Sequence, residues 1–148
     1  MIRTTPPLIL YAEDDPDDLL LMQMAHRASE LDHPIIYVND GQEAVEYLHG
    51  EGQYALAPLP GIILMDLRMP HIGGLATLVQ LKSDPRYSHI PVIMITTSTS
   101  RGDVHDAYAA GASSYIVKPP TLGGLVGVLN AIARYWFQAA VLPTGAER

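Results

Sequence analysis

Glu13 and Asp14, Asp66, Thr96 and Lys118 each stand where a short apolar run stops, at the ends of residues 8–12, 62–65, 92–95 and 115–117. Three carboxylates gathered in a small volume repel one another unless they share a cation. If the first and third runs are neighbouring strands, Glu13, Asp14 and Asp66 are such a group. Hard oxygen ligands favour Mg2+, which keeps several waters and takes one or two carboxylates together with phosphate oxygens. An aspartate beside that ion can attack phosphorus and form an acyl phosphate, so Asp66 is the candidate nucleophile. Lys118, one of two lysines in the chain, supplies a compact positive charge for a phosphate oxygen, and the Thr96 hydroxyl a hydrogen bond to another.

These groups need a scaffold that delivers them to one edge. Five runs rich in Val, Ile and Leu occur at 8–12, 35–38, 62–65, 92–95 and 115–117, without polar alternation, as expected of parallel strands buried on both faces. Helical spacing lies between them, clearest in Leu19, Met22, Ala25 and Leu31 and in Leu75, Leu78 and Leu81. Strand and helix alternating five times predict a doubly wound α/β sheet with helices on both faces, in which ligands sit outside the carboxyl ends of the strands. Asp15 is a natural N-cap with Pro16 at the first helical position, and residues 51–60, flanked by Gly50 and carrying Gly52, Pro58 and Pro60, read as a surface loop.

The 148 residues are expected to form one domain, with a core over about 7–137 and a short tail at 138–148. Five of the sixteen acids lie between Glu13 and Asp18, and the formal charge of -7 argues against direct contact with nucleic acid. With no cysteine, disulfides and thiolate sites are excluded. No apolar run approaches the roughly 18 to 20 residues of a membrane span, and the first residues are unlike a secretory signal, so a cytoplasmic protein is expected. The six histidines show no ligand spacing.

The segments LILYAEDD, IILMDLRMPHIGG, PVIMITTS and GASSYIVKP resemble the response regulator receiver domain over nearly the whole chain. That resemblance implies a flavodoxin-like five-stranded parallel sheet of order 2-1-3-4-5 flanked by five helices. It makes Glu13 and Asp14 the acidic pair, Asp66 the phosphoacceptor, Thr96 the switch hydroxyl, Tyr115 the switch aromatic and Lys118 the phosphate-sensing lysine. The backbone carbonyl of Arg68 completes the protein ligands of Mg2+, and the Lys118–Pro119 bond is a candidate cis peptide. The protein would then be no enzyme but a switch, taking its phosphoryl group from a sensor histidine kinase. Gly61 and Gly73 stand where relatives often carry Asp, and Pro120 where a larger side chain is common. The 51–60 loop and the ending IARYWFQAAVLP resemble regulators paired with phytochrome-type kinases.

Capping and the helix dipole account for Asp15, Asp17 and Asp18. Tyr115 could be simple strand packing. A phosphohydrolase of the haloacid dehalogenase type also uses a strand-end aspartate, but places a second Asp two residues on, where this chain has Arg68. A degenerate receiver kept as a scaffold conflicts with the intact acidic set. The last helix carries an apolar arc of roughly 180°, wider than one core-facing stripe needs. Leu122, Val126, Trp136 and Phe137 are therefore a candidate homodimer face, with burial of Trp136 and Phe137 under the tail the alternative, and with eleven residues after Phe137 the output is expected to run through protein contacts or onward phosphotransfer rather than an attached domain.

Overall fold

The computed structural model describes residues 7–143. Strands β1 (Ile9–Ala12), β2 (Ile35–Val38), β3 (Ile62–Met65), β4 (Val92–Thr96) and β5 (Ser114–Val117) alternate with helices α1 (Pro16–Ala28), α2 (Gly41–His49), α3 (Gly74–Ser83), α4 (Arg101–Ala109) and α5 (Leu122–Arg134). All strands are parallel in the order β2-β1-β3-β4-β5. The chain therefore has the expected flavodoxin-like sheet with its five helices. Of the tail placed at 138–148, residues 144–148 lie outside the described residues.

Successive strand residues face opposite sides, which divides the core in two. Leu10, Ile63, Met65 and Met94 pack with Ala44, Leu48, Leu78 and Ala107 on one side. Ile9, Ile62, Leu64, Ile93 and Ile95 pack with Met22, Ala25, Leu125, Leu129 and Ile132 on the other. With β1 and β3 entirely buried, a charge can enter only at their ends.

The register fixes where those ends meet. Ala12 pairs with Met65, so Glu13 and Asp66 leave neighbouring strands side by side; Thr96 pairs with Val117, one residue before Lys118. The Asp66 amide donates to the Ala12 carbonyl at 3.1 Å and the Lys118 amide to the Thr96 carbonyl at 2.7 Å. Gly74 lets α3 begin hard against this edge, because a Cβ there would lie 2.1 Å from the Asp66 carbonyl oxygen.

Several local expectations change. Asp15 caps α1 as read, accepting from the amides of Asp17 and Asp18, but the helix ends at Ala28, and Leu31 packs from the following segment. The 51–60 loop contains a 3-10 turn at Gly52–Tyr54 and is anchored: the Tyr47 hydroxyl donates to the Pro58 carbonyl at 2.8 Å, and the Tyr54 ring lies 5.0 Å from that of Tyr47. The Lys118–Pro119 peptide is trans, against the cis expectation. Trans is the intrinsically favoured isomer by about 0.5–1 kcal/mol, and it seats the Pro119 ring against Gly124, where a Cβ would lie 2.5 Å from Pro119 Cβ.

After α5 the chain continues through a π-helical segment, Tyr135–Ala139. Leu125, Leu129, Ile132 and Ala133 are buried under the sheet, while Leu122, Val126, Trp136 and Phe137 are half-buried along the same helix. The Phe137 ring stacks on His33 at 3.9 Å, which uses part of the wide apolar arc within the chain. No helix among the described residues is long and apolar enough to cross a membrane.

Candidate functional site

β1 delivers Glu13 with only 1% of its surface exposed. Its Oε2 accepts the Asp15 amide at 3.1 Å, and its Oε1 accepts the Tyr11 hydroxyl at 3.2 Å. β3 delivers Asp66, also buried, whose Oδ1 accepts the Arg68 amide at 3.0 Å. From the end of β5, Lys118 Nζ donates to Asp66 Oδ2 at 2.6 Å, to Asp18 Oδ2 at 2.8 Å and to Glu13 Oε1. One carboxylate oxygen from each of Glu13, Asp18 and Asp66 lies within 4.8 Å of the others.

The electrostatics follow from this crowding. Burial, reinforced by contact with Asp66 and opposed by Lys118, pushes the Glu13 carboxyl from its ordinary 4.5 up to about 7. Burial alone would lower the Lys118 ammonium, but the carboxylates of Asp18, Asp66 and Glu13 outweigh it and raise it. The Tyr11 phenol is pushed far up by burial and by the charges of Glu13, Asp66 and Asp18. One ammonium against three carboxylates leaves two negative charges uncompensated when all are ionised. The donor set, all oxygen, fits a hard divalent cation.

Glu13, Asp66 and Lys118 thus meet as the sequence reading has them. Asp14 is exposed and stands outside the tight group, whereas Asp18, read as a dipole residue, is in it. Asp18 lies one turn into α1, so the same Asp15 cap that starts the helix turns it back over the strand edge. Tyr11 was also missed; its place two residues before Glu13, on the same side of β1, was the available signal.

Thr96 is buried at the end of β4, and its Oγ1 accepts the Ser98 amide at 3.5 Å. Tyr115 is half-buried, its hydroxyl donating to the Ser98 carbonyl at 2.9 Å. The Arg68 side chain turns away from Asp66 to Asp103 Oδ2 at 3.0 Å, so the position two after the nucleophile candidate carries no acid or base for ester hydrolysis.

A doubly wound sheet that presents a buried aspartate, an acidic partner, a lysine and a threonine hydroxyl at its carboxyl edge is the architecture of a receiver module of two-component signalling. The chain belongs to the response regulator receiver domain family, whose model matches residues 9–130. It is 33% identical over 138 residues to response regulator Rcp1 of Synechocystis sp. PCC 6803, spanning 93% of this chain and 94% of that protein. The Mn(2+)-bound form of Rcp1 superposes with a TM-score of 0.83, covering 94% of this chain and all of that one, at 33% identity. The phosphorylated cyanobacterial phytochrome response regulator RcpA gives 0.86 at 36% identity, over 95% of this chain and 100% of that one. RPA3017, a response regulator in red light signaling of R. palustris, gives 0.89 at 31% identity, over 94% and 99%. The protein is a two-component response regulator, homologous to regulators of phytochrome systems.

Proposed function

We propose that Asp66 accepts a phosphoryl group from a sensor histidine kinase of the phytochrome type, with Mg2+ at the acidic edge, and that the altered surface carries the signal. The carrying observation is the Asp66 carboxylate, buried and held by Lys118 Nζ at 2.6 Å and the Arg68 amide at 3.0 Å beside Glu13. In the transfer, a carboxylate oxygen of Asp66 forms a P–O bond as the P–N bond to the donor imidazole breaks, and the imidazole keeps the electron pair. Bound Mg2+ supplies charge neutralisation on the phosphoryl oxygens.

Glu13, Asp14, Asp66 and the Arg68 carbonyl are the proposed ligands. The two uncompensated negative charges support the ion, as does the Mn2+ in Rcp1. Lys118, already against Asp66, passes to a phosphoryl oxygen. Thr96 gives its hydroxyl to another, and Tyr115 follows. The phytochrome-type partner is supported by likeness to RcpA and RPA3017. On this proposal the protein works in the cytoplasm, as a switch rather than an enzyme. A homodimer through α5, with Leu122, Val126, Trp136 and Phe137, is supported by the exposed Tyr135 that directly follows the helix.

The test is labelling with acetyl phosphate and Mg2+. The wild type takes up phosphate and Asp66→Asn does not; persistent labelling of that variant overturns the assignment.

A further inference from the structure

Arg68 and Asp103 are 35 residues apart, yet Arg68 Nη2 donates to Asp103 Oδ2 at 3.0 Å. The same oxygen accepts the Ser98 hydroxyl at 2.5 Å. Asp103 sits in the first turn of α4, three residues after the N-cap Ser100, where an acidic side chain ordinarily returns to the amide of the capping residue. Here the Ser100 amide is taken by Ser98 Oγ at 3.3 Å, and the Asp103 amide by Ser100 Oγ at 3.3 Å. Helix capping is thus met without the Asp103 carboxylate, which is left for Arg68 and Ser98.

Ser98 is also the meeting point of the two switch residues, its amide donating to Thr96 Oγ1 at 3.5 Å and its carbonyl accepting the Tyr115 hydroxyl at 2.9 Å. At the other end, the Arg68 amide donates to Asp66 Oδ1. A continuous chain of contacts therefore runs from the phosphoacceptor candidate through Arg68, Asp103 and Ser98 to Thr96 and Tyr115.

We infer that the Arg68–Asp103–Ser98 bridge is a clasp that holds the segment between β4 and α4 in its present position and resists the shift of Thr96 towards a phosphoryl group on Asp66. Arg68, Asp103 and Ser98 are positioning residues in this scheme, acting through the loop. The inference rests on the phosphoacceptor reading above. Arg68 is largely exposed, so the restraint is modest, and its loss raises the fraction of molecules competent for phosphoryl binding by about two- to fivefold.

The alternative is a plain field effect: Asp103 repels and Arg68 attracts an anion at Asp66. The two accounts differ in sign at Arg68. Beryllofluoride, an acyl-phosphate mimic, is titrated at fixed Mg2+ and followed by 19F NMR, using the wild type and the variants Asp103→Asn, Arg68→Gln and Ser98→Ala. The clasp predicts that all three variants bind beryllofluoride about two- to fivefold more tightly, and that Arg68→Gln with Asp103→Asn exceeds neither single change. Weaker binding by Arg68→Gln with tighter binding by Asp103→Asn identifies the field effect and overturns the clasp, as does unchanged or weaker binding in all variants. Ser98→Ala, which alters no charge, guards against a folding defect at the charged positions. A wild type that binds no beryllofluoride overturns the phosphoacceptor reading and the clasp with it.

Discussion

Lys118→Met is the most informative perturbation of the acidic edge, because it keeps most of the unbranched stem and removes the ammonium with its charge and its three donors. Lys118 is 9% exposed at its side chain, Glu13 1% and Asp66 8%, so its loss leaves carboxylates with little water to answer them. At an effective dielectric of about 20, two carboxylates 4.8 Å apart repel by about 3.5 kcal/mol, and the three lie within that distance. Releasing the ammonium from its own desolvation offsets part of this. Breaking a buried pair by removing one partner is destabilising by about 3–5 kcal/mol. We expect about 3 kcal/mol at pH 8 in the absence of divalent ions, read from urea unfolding followed by far-UV circular dichroism. Mg2+ should then stabilise the variant more than the wild type, because it no longer competes with the ammonium for the same oxygens. At a hundred times its dissociation constant the ion contributes about 2.7 kcal/mol, nearly the whole loss. A variant as stable as the wild type without divalent ions, or equal stabilisation of the two by Mg2+, refutes the reasoning.

Glu13 makes the stability of the metal-free protein depend on pH: its folded pKa is raised from 4.5 to about 7, so the folded state binds the extra proton in that window, and stability present below pH 4.5 is lost as pH rises through 7. Glu13→Gln should abolish this loss in urea titrations at several pH values, and an unchanged profile would count against Glu13 as its source. Asp14→Asn should weaken Mg2+ by more than about tenfold in calorimetric titration and Asp18→Asn by less; the reverse order would move the third carboxylate ligand to Asp18. Light scattering at micromolar concentration should give twice the 16.1 kDa chain mass, and a monomer with and without phosphorylation would exclude the α5 face as a dimer contact.

The sheet and the ends of its strands were legible for one physical reason: a strand buried on both faces, as β1 and β3 are, has no place for a charge until it stops. Glu13, Asp66 and Lys118 could therefore be read from where the apolar runs break, and the parallel register brings the breaks together. What was hidden depends on direction rather than type. Asp18 was given to the dipole because a first-turn acid already has a sufficient role there; the fold lets it serve Lys118 as well, since the cap at Asp15 fixes how α1 leaves β1. Tyr47 and Tyr54 gave no sign that they anchor the 51–60 loop, because aromatic side chains suit a core and a loop clamp equally. The Arg68–Asp103 contact was hidden most deeply. Arg68 reads as the residue that replaces an acid, and nothing in the sequence singles out Asp103; only the fold, which brings the loop after β3 to the first turn of α4, shows that each completes the other. The residues at the strand ends are those proposed for the phosphoryl chemistry. The proposed linkage between that edge and α4 is built from the exposed Arg68 and the half-buried Ser98 and Asp103, whose individual roles look ordinary, and the beryllofluoride titrations decide whether it restrains Thr96.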